Sequence, residues 1–377
     1  MTRYRDLGLT VGQLDPGPLN AITDVDGVRV GVTTLISGDG PLQVGRGPIR
    51  TGVTVIVPHD AIGAEPVFAG CHRLNGNGEL TGLEWVRESG QLTTPVAITN
   101  THSVGIVRDA LIEAEVREDP SRSANLWSLP VVGETYDGTL NDIDGFHVTA
   151  DHLHAALAAA SGGPIPEGNV GGGTGMICHD FKGGTGTASR RLGEALGGWT
   201  VGALVQSNYG RRERLTVDGV PVGREIPVTE VPSAWDDAEG PRQAGAGSII
   251  VILATDAPLL PHQCERLAQR AGLGVARVGG AGENSSGDLF LAFSTGNRGR
   301  LASYKLETAR APFDVTTIPD AAISDLFWAA IEATEEAILN ALVSAQTMTG
   351  RDGITAHALD HGRLIEIMTR YGRGPSA

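Results

Sequence analysis

The run Ser248-Ile249-Ile250-Val251-Ile252-Leu253-Ala254 constrains this chain more than any other stretch. It is short, rich in β-branched residues and apolar on both faces, so it reads as a strand buried between two layers. Residues 51–58, 95–99, 199–206 and 288–294 read as further strands. Amphipathic stretches alternate with them and predict helices over 79–88, 103–118, 151–160, 189–196, 261–271, 324–346 and 359–371, which makes a mixed α and β protein. In the 324–346 helix, Phe327, Ala330, Ile331, Thr334, Ala337, Ile338, Ala341 and Leu342 form one stripe behind a serine cap.

What precedes the apolar run is as informative as the run itself. Residues 211–247 carry Pro221, Pro227, Pro232 and Pro241 and the acidic cluster Trp235-Asp236-Asp237-Ala238-Glu239, with no apolar period. The segment reads as a long surface loop, of a length usually functional or disordered, that delivers the chain to Ser248. A serine opening a rigid strand, a glycine before it that tolerates strained carbonyl geometry, and an upstream loop able to move away together suit a chain that cuts itself between Gly247 and Ser248. A second polar group, Asn284-Ser285-Ser286-Gly287-Asp288, runs into the apolar Leu289-Phe290-Leu291-Ala292-Phe293, and so also sits at a strand mouth. Two such mouths can converge.

Length and charge bound the remaining choices. The 377 residues suffice for one large or two modest domains. With 29 basic against 44 acidic residues the net charge is −15, which excludes nucleic acid and anionic membrane as main partners. No apolar run approaches the roughly 18 residues of a membrane span, and the first residues lack the apolar core of a signal peptide, so a cytoplasmic protein is expected. Cys71, Cys178 and Cys264 stand apart and read as buried free thiols. The common serine-hydrolase elbow, zinc-protease, Walker and dinucleotide motifs are missing, and no cofactor or metal is expected. His152 with His154, and His357 with His361, read as ordinary histidines for want of nearby carboxylates. The runs 171–175 and 183–186 are glycine-rich enough to cradle an anion, but without a strand-to-helix context they read as a hairpin.

The chain carries Asn20-Ala21-Ile22-Thr23-Asp24-Val25-Asp26-Gly27-Val28, Leu74-Asn75-Gly76-Asn77-Gly78-Glu79, Val132-Gly133-Glu134-Thr135-Tyr136-Asp137-Gly138, Gly172-Gly173-Thr174-Gly175-Met176, Lys182-Gly183-Gly184-Thr185-Gly186-Thr187-Ala188-Ser189-Arg190, Gln206-Ser207-Asn208-Tyr209-Gly210, Gly247-Ser248-Ile249-Ile250 and Ser286-Gly287-Asp288. Together these motifs resemble the DmpA-like L-aminopeptidase/D-Ala-esterase/amidase and β-peptidyl aminopeptidase family. They span essentially the whole chain. The resemblance implies an α+β, four-layer αββα sandwich of the N-terminal-nucleophile-hydrolase type, formed as one domain over 1–377. It further implies self-cleavage into an α chain of residues 1–247 and a β chain of 248–377, and a homo-oligomer of such αβ units. Ser248 then corresponds to the nucleophile, Ser286 and Asp288 to its proton-handling and orienting partners, and Asn208 to an oxyanion-hole donor. Glu134 and Tyr136 correspond to substrate-pocket residues, Glu134 meeting the substrate's ammonium group.

The chemistry of these residue types is coherent. Ser248 would attack the Gly247 carbonyl and pass through an ester that water resolves, with Asn208 contributing about 3 kcal/mol as an oxyanion donor. The freed α-amine, with a reference pKa of about 7.7–8.0, then serves as a base, as does the Ser286–Asp288 pair in the alternative. By residue type alone Asn208 could end a strand, Glu134 could be a solvated loop carboxylate and Ser286 could cap a turn. The expected activity is that of a serine aminopeptidase or amidase acting on small peptides, amides or esters. The alternatives are an acyltransferase of the ornithine acetyltransferase type and an uncleaved, non-catalytic binding protein.

Overall fold

The computed structural model describes residues 1–118, 127–235, 247–301 and 312–375. The apolar run lies at the centre of a six-stranded sheet, inside β11 (Gly247–Thr255). Strand order is β4 (Gln91–Leu92), β3 (Val67–Arg73), β12 (Ser286–Ser294), β11, β10 (Thr200–Asn208) and β9 (Gly184–Arg191). β11 runs parallel to β12 and antiparallel to β10. A second sheet holds β1 (Arg29–Ser37), β2 (Ile49–Val57), β5 (Val96–Asn100) and β6 (Val131–Thr135) in that order, with β5 and β6 parallel.

The two faces of β11 show how the layers stack. Ile250, Ile252 and Ala254 join Ile56, Val96 and Ile98 of the smaller sheet in one apolar cluster. Ile249, Val251 and Leu253 point the other way, against α5 (Pro261–Arg277) and α6 (Ser324–Ser344). Val53, Val55, Ala97 and Val132, on the far face of the smaller sheet, pack against α2 (Val104–Glu118) and α3 (Ala150–Ala158). The order is helix, sheet, sheet, helix, the expected αββα sandwich. Each fully buried Ile, Leu or Val of β11 contributes about 1.5–3 kcal/mol. No helix among the described residues is long and apolar enough to cross a membrane.

Several sequence expectations need correction. Residues 189–196 are not a helix. Ser189, Arg190 and Arg191 end strand β9, and a 3₁₀ turn follows at Glu194–Leu196. Arg190 is fully buried and pairs with Glu332 at 3.1 Å and Glu336 at 2.7 Å on α6, ion pairs that no local pattern announces. Strands β1, β3, β6 and β9 were not anticipated at all. The predicted 79–88 helix begins only at α1 (Leu83–Ser89). The α6 helix is buried on every side from Ala329 to Ser344 and not along one stripe, and Ser324 lies inside it, so there is no serine cap.

The expected surface loop is packed as far as it is described. Residues 211–235 include a 3₁₀ turn at Arg212–Arg214 and α4 (Val222–Glu225), and Leu215, Val217, Val222 and Ile226 are buried. Their anchor is a hairpin of β7 (Ile177–Cys178) and β8 (Phe181–Lys182), whose turn residues His179 and Asp180 both have positive φ. The Arg212 guanidinium lies 3.5 Å over the Phe181 ring and donates to the carbonyls of His179, Asp180, Ile226 and Val231 at 2.8–3.1 Å. A small hairpin, β13 (Met348–Thr349) with β14 (Thr355–Ala356), and α7 (His361–Arg370) complete the chain. Asp236, Asp237, Ala238, Glu239 and Pro241 lie outside the described residues.

The first glycine run is not a hairpin either. Gly171–Gly173 forms a buried 3₁₀ turn whose Gly171 and Gly172 N–H groups donate to the hydroxyls of Thr34 and Thr54 at 2.9 and 3.1 Å, so they are not directed at an anion. The histidines are engaged locally: His152 Nδ1 accepts the Thr149 N–H at the start of α3, and His361 Nε2 lies 2.8 Å from the Val343 carbonyl. All three cysteines are free and buried.

Candidate active site

Ser248 is the second residue of β11 and is 5% exposed. Its Oγ donates to the Gly247 carbonyl at 2.7 Å and accepts the Gly287 N–H at 3.2 Å. The hydroxyl thus lies against the peptide bond that precedes it. Gly247 is glycine for a steric reason: an added Cβ would stand 2.5 Å from the Asn208 carbonyl oxygen and 2.7 Å from the Tyr209 Cα.

Register brings the second strand mouth alongside the first. Gly247 pairs with Ser286, Ser248 with Gly287 and Ile249 with Asp288. Along β12, Leu289, Leu291 and Phe293 face the other sheet, whereas Phe290 and Ala292 face the helices. Alternation therefore puts Gly287 on the Ser248 side, and Ser286 and Asp288 on the helix side, level with the Gly247–Ser248 peptide. The Ser286 hydroxyl donates to Asp288 Oδ1 at 2.6 Å, and the pair is buried. Burial pushes the Asp288 carboxyl up to about 6, against the opposing pull of the Ser286 hydroxyl and the Ile249 backbone. Asn75 Oδ1 accepts the Asp288 N–H at 2.9 Å and pins this end of β12.

Asn208 is directly opposite Ser248 on β10. Its Oδ1 accepts the Ile177 N–H at 2.8 Å, and its Nδ2 donates to the Tyr136 carbonyl at 3.0 Å. Tyr136 follows β6 and is 44% exposed, so its ring is open to an incoming molecule. Glu134, within β6, is only 3% exposed. It accepts the Glu79 N–H at 2.9 Å and the Thr101 hydroxyl. Burial raises its pKa, and among the described residues no lysine or arginine pairs with it.

One segment joins these parts. Residues 74–81 run from the mouth of β12 to the edge of β6. The Leu74 N–H donates to the Asp288 carbonyl, Asn77 Nδ2 to the Ser285 carbonyl, and the Thr81 N–H to the Val132 carbonyl. A Cβ on Gly78 would lie 3.0 Å from Gly287 Cα and 3.1 Å from Glu134 Oε1, so Gly78 alone separates the acidic group from the glycine that touches Ser248. The structure thus gathers Gly247, Ser248, Ser286, Asp288, Asn208, Glu134 and Tyr136 around one locus. Sequence reasoning had assigned no part to Thr101, Asn75 or the Gly287 N–H. Of the sequence motifs, only residues 74–79 point toward this strap.

A cavity of about 230 Å³, lined by Arg29, Val57, Asp60, Leu111 and Leu157 among others, contains none of these residues. Among the described residues no group of three or more histidine, cysteine, aspartate or glutamate side chains is arranged to hold a metal ion.

The profile of peptidase family S58 matches residues 20–356. The beta-peptidyl aminopeptidase BapA of Sphingosinicella microcystinivorans is 48% identical, over 98% of this chain and 93% of the relative. A Burkholderia sp. beta-aminopeptidase superposes with a TM-score of 0.90 at 55% identity, over 98% of this chain and 99% of that one. The L-aminopeptidase D-Ala-esterase/amidase of Ochrobactrum anthropi, described as a variant of the Ntn hydrolase fold, gives a TM-score of 0.88 at 45% identity over the same shares.

Proposed function

The chain belongs to peptidase family S58 and is an aminopeptidase and amidase, and from that premise we propose that Ser248 is its nucleophile, released by self-cleavage after Gly247. The observation that carries this reading is the Ser248 hydroxyl, 2.7 Å from the carbonyl oxygen of its own preceding peptide and held there by the Gly287 N–H. In self-cleavage Oγ adds to the Gly247 carbonyl carbon, the C–N bond breaks as the nitrogen takes a proton, and water hydrolyses the resulting ester. The products are a Gly247 carboxylate and a free α-amine on Ser248, with both chains kept in one αββα domain.

The same hydroxyl then attacks the carbonyl of a substrate's N-terminal residue. The Ser248 amine takes the hydroxyl proton and passes it to the leaving amine, and water resolves the acyl-enzyme. The Ser286–Asp288 pair, level with that amine on the helix side, orients it and holds its charge. Asn208 offers its second amide N–H to the developing oxyanion. Glu134 takes the substrate's ammonium, the cation that its burial leaves it lacking, and the exposed Tyr136 ring forms the pocket wall.

Substrates on this reading are short peptides, amides and esters with a small N-terminal residue. Because two relatives are named for β-peptidyl substrates, β-alanyl amides belong beside alanyl amides in the first screen. The kinship with hydrolases argues against the acyltransferase and non-catalytic alternatives. The same reading includes assembly of αβ units into a homo-oligomer.

Ser248→Ala tests the core of the reading. The parent should resolve into two fragments under denaturing mass measurement, the second beginning at Ser248. The variant should stay a single chain of 39.2 kDa and leave alanyl p-nitroanilide intact. Two fragments from the variant would sink the assignment.

A further inference from the structure

The turn beneath Asn208 converges on a side chain that the reaction above does not use. Lys182, the last residue of β8, is fully buried. Its Nζ donates to the carbonyls of Met176 and Gly183 at 2.8 Å each and reaches that of Gly173 at 3.5 Å. Among the described residues no carboxylate pairs with it. Burial pushes its pKa down to about 7, with Cys178 pulling the other way, and the ammonium has one N–H for each of the three surrounding carbonyls. An apolar side chain of similar length would fill the same space without the cost of desolvating an amine.

What the ammonium adds is visible in the peptide it grips. The Met176 carbonyl and the Ile177 N–H belong to one planar amide. Lys182 holds the oxygen of that amide, and its N–H donates to Asn208 Oδ1 at 2.8 Å. A continuous line of hydrogen bonds therefore runs from the ammonium, through one rigid peptide group, to the Asn208 carboxamide. Each bond in such a line polarises the next in a low-dielectric interior. Charge drawn toward Asn208 Oδ1 makes Nδ2–H a stronger donor. The Ile177 N–H also settles which way the amide faces, because only Oδ1 can accept from it.

We propose that Lys182 is a positioning residue for this reaction: through the Met176–Ile177 peptide it orients and polarises the Asn208 carboxamide, so that Nδ2–H is presented to the carbonyl under attack by Ser248. The inference rests on the reading of Asn208 as the oxyanion donor.

A double-mutant cycle on the full-length protein separates the two. Lys182→Met, Asn208→Ala and the double variant are compared with the parent for kcat and KM on alanyl p-nitroanilide, per mole of free Ser248 N-terminus. Where a variant matures too slowly, the first-order rate of self-cleavage is the readout. Asn208→Ala should lower kcat about 10²–10³-fold. Lys182→Met should lower it about 10²-fold with KM nearly unchanged, the loss expected when a reacting group is misplaced by about 1 Å. The double variant should be no slower than Asn208→Ala alone, because the lysine acts only through the asparagine. Lys182→Gln, which keeps two donors and loses the charge, should fall between the parent and Lys182→Met, and it takes the place of Lys182→Met in the cycle if the methionine variant does not fold. Losses that multiply in the double variant would overturn the role of Lys182 while leaving that of Asn208 standing. An Asn208→Ala variant as fast as the parent would overturn both.

Discussion

Replacing Gly247 by alanine adds one methyl group at the point where β11 meets β10. That Cβ would begin 2.5 Å from the Asn208 carbonyl oxygen and 2.7 Å from the Tyr209 Cα, both backbone atoms, with φ at +155°, where side chains are rare. Ordinary contact begins at 3.4 Å, so relieving the first clash requires a retreat of about 0.9 Å. The retreat carries the Gly247 carbonyl away from the Ser248 hydroxyl. A misplacement of about 1 Å costs roughly 10²-fold in rate, or about 2.7 kcal/mol in barrier. Gly247→Ala should therefore mature about 100 times more slowly than the parent, followed as the disappearance of the 39.2 kDa species by denaturing mass measurement. The effect should be confined to maturation, since residue 247 leaves the reacting bond once that bond is cut. Hydrolysis of alanyl p-nitroanilide per mole of free Ser248 terminus should match the parent. Maturation at the parental rate would refute the argument that the carbonyl's position is fixed by this contact.

Glu134→Gln should lower kcat/KM for alanyl p-nitroanilide by about 10²–10³-fold, the loss expected on truncating one partner of a buried charge pair. The propionyl analogue, which lacks the ammonium, should be indifferent to the change, and an equal loss on both substrates would contradict the assignment. With the Asp288 carboxyl raised to about 6 and a reference amine pKa of about 7.7–8.0 for a free Ser248 terminus, log kcat/KM of the parent should rise with pH at a slope of about two below pH 6 and about one from there to about pH 8, and level off above. Asp288→Asn should leave a slope of about one up to about pH 8 and the same plateau above, and an unchanged profile would remove Asp288 from the proton-handling group. Stability should move the other way. A pKa raised in the folded state stabilises below the ordinary aspartate range, and that contribution is lost as pH rises through about 6, so urea melts at pH 5 and pH 8 should differ less in Asp288→Asn than in the parent.

The legibility of the fold followed how locally each element is determined. The run inside β11 carries its burial in its composition and the stretch that forms α6 its helical period, so both elements were readable. β9 was not. Its sequence Gly-Thr-Gly-Thr-Ala-Ser-Arg-Arg is polar yet almost wholly buried. A Cβ on Gly186 would meet the Ala337 carbonyl at 2.0 Å, and Thr187, Ser189 and Arg190 are satisfied by Ala203, Asp24, Glu332 and Glu336, all distant in sequence. A strand whose burial depends on remote partners has no period to betray it. β6 was missed for a related reason, being five residues long and closing on the polar pair Glu134 and Thr135. At the site, Gly247, Ser248 and the Ser286–Asp288 mouth were visible because each opens an apolar run. That the Ser286–Asp288 pair faces the opposite side of the sheet from the Ser248 hydroxyl depends on strand register, which emerges only when β11 and β12 pair.

The order of strands in the larger sheet bears on the history of any mature molecule. β11 and β12 lie between β3 on one side and β10 on the other; the outer neighbours precede Gly247 in the chain, whereas the inner pair, apart from Gly247 itself, follow it. Once the bond after Gly247 is cut, two separate polypeptides share one hydrogen-bonded sheet, neither able to leave without stripping strands from its partner. The uncut chain can fold as a unimolecular process. The cut one, if unfolded, must find its other half, so its recovery should be second order and should fail on dilution. The enzyme's persistence would then depend on how slowly it unfolds, since a molecule lost to denaturation has no intramolecular route back.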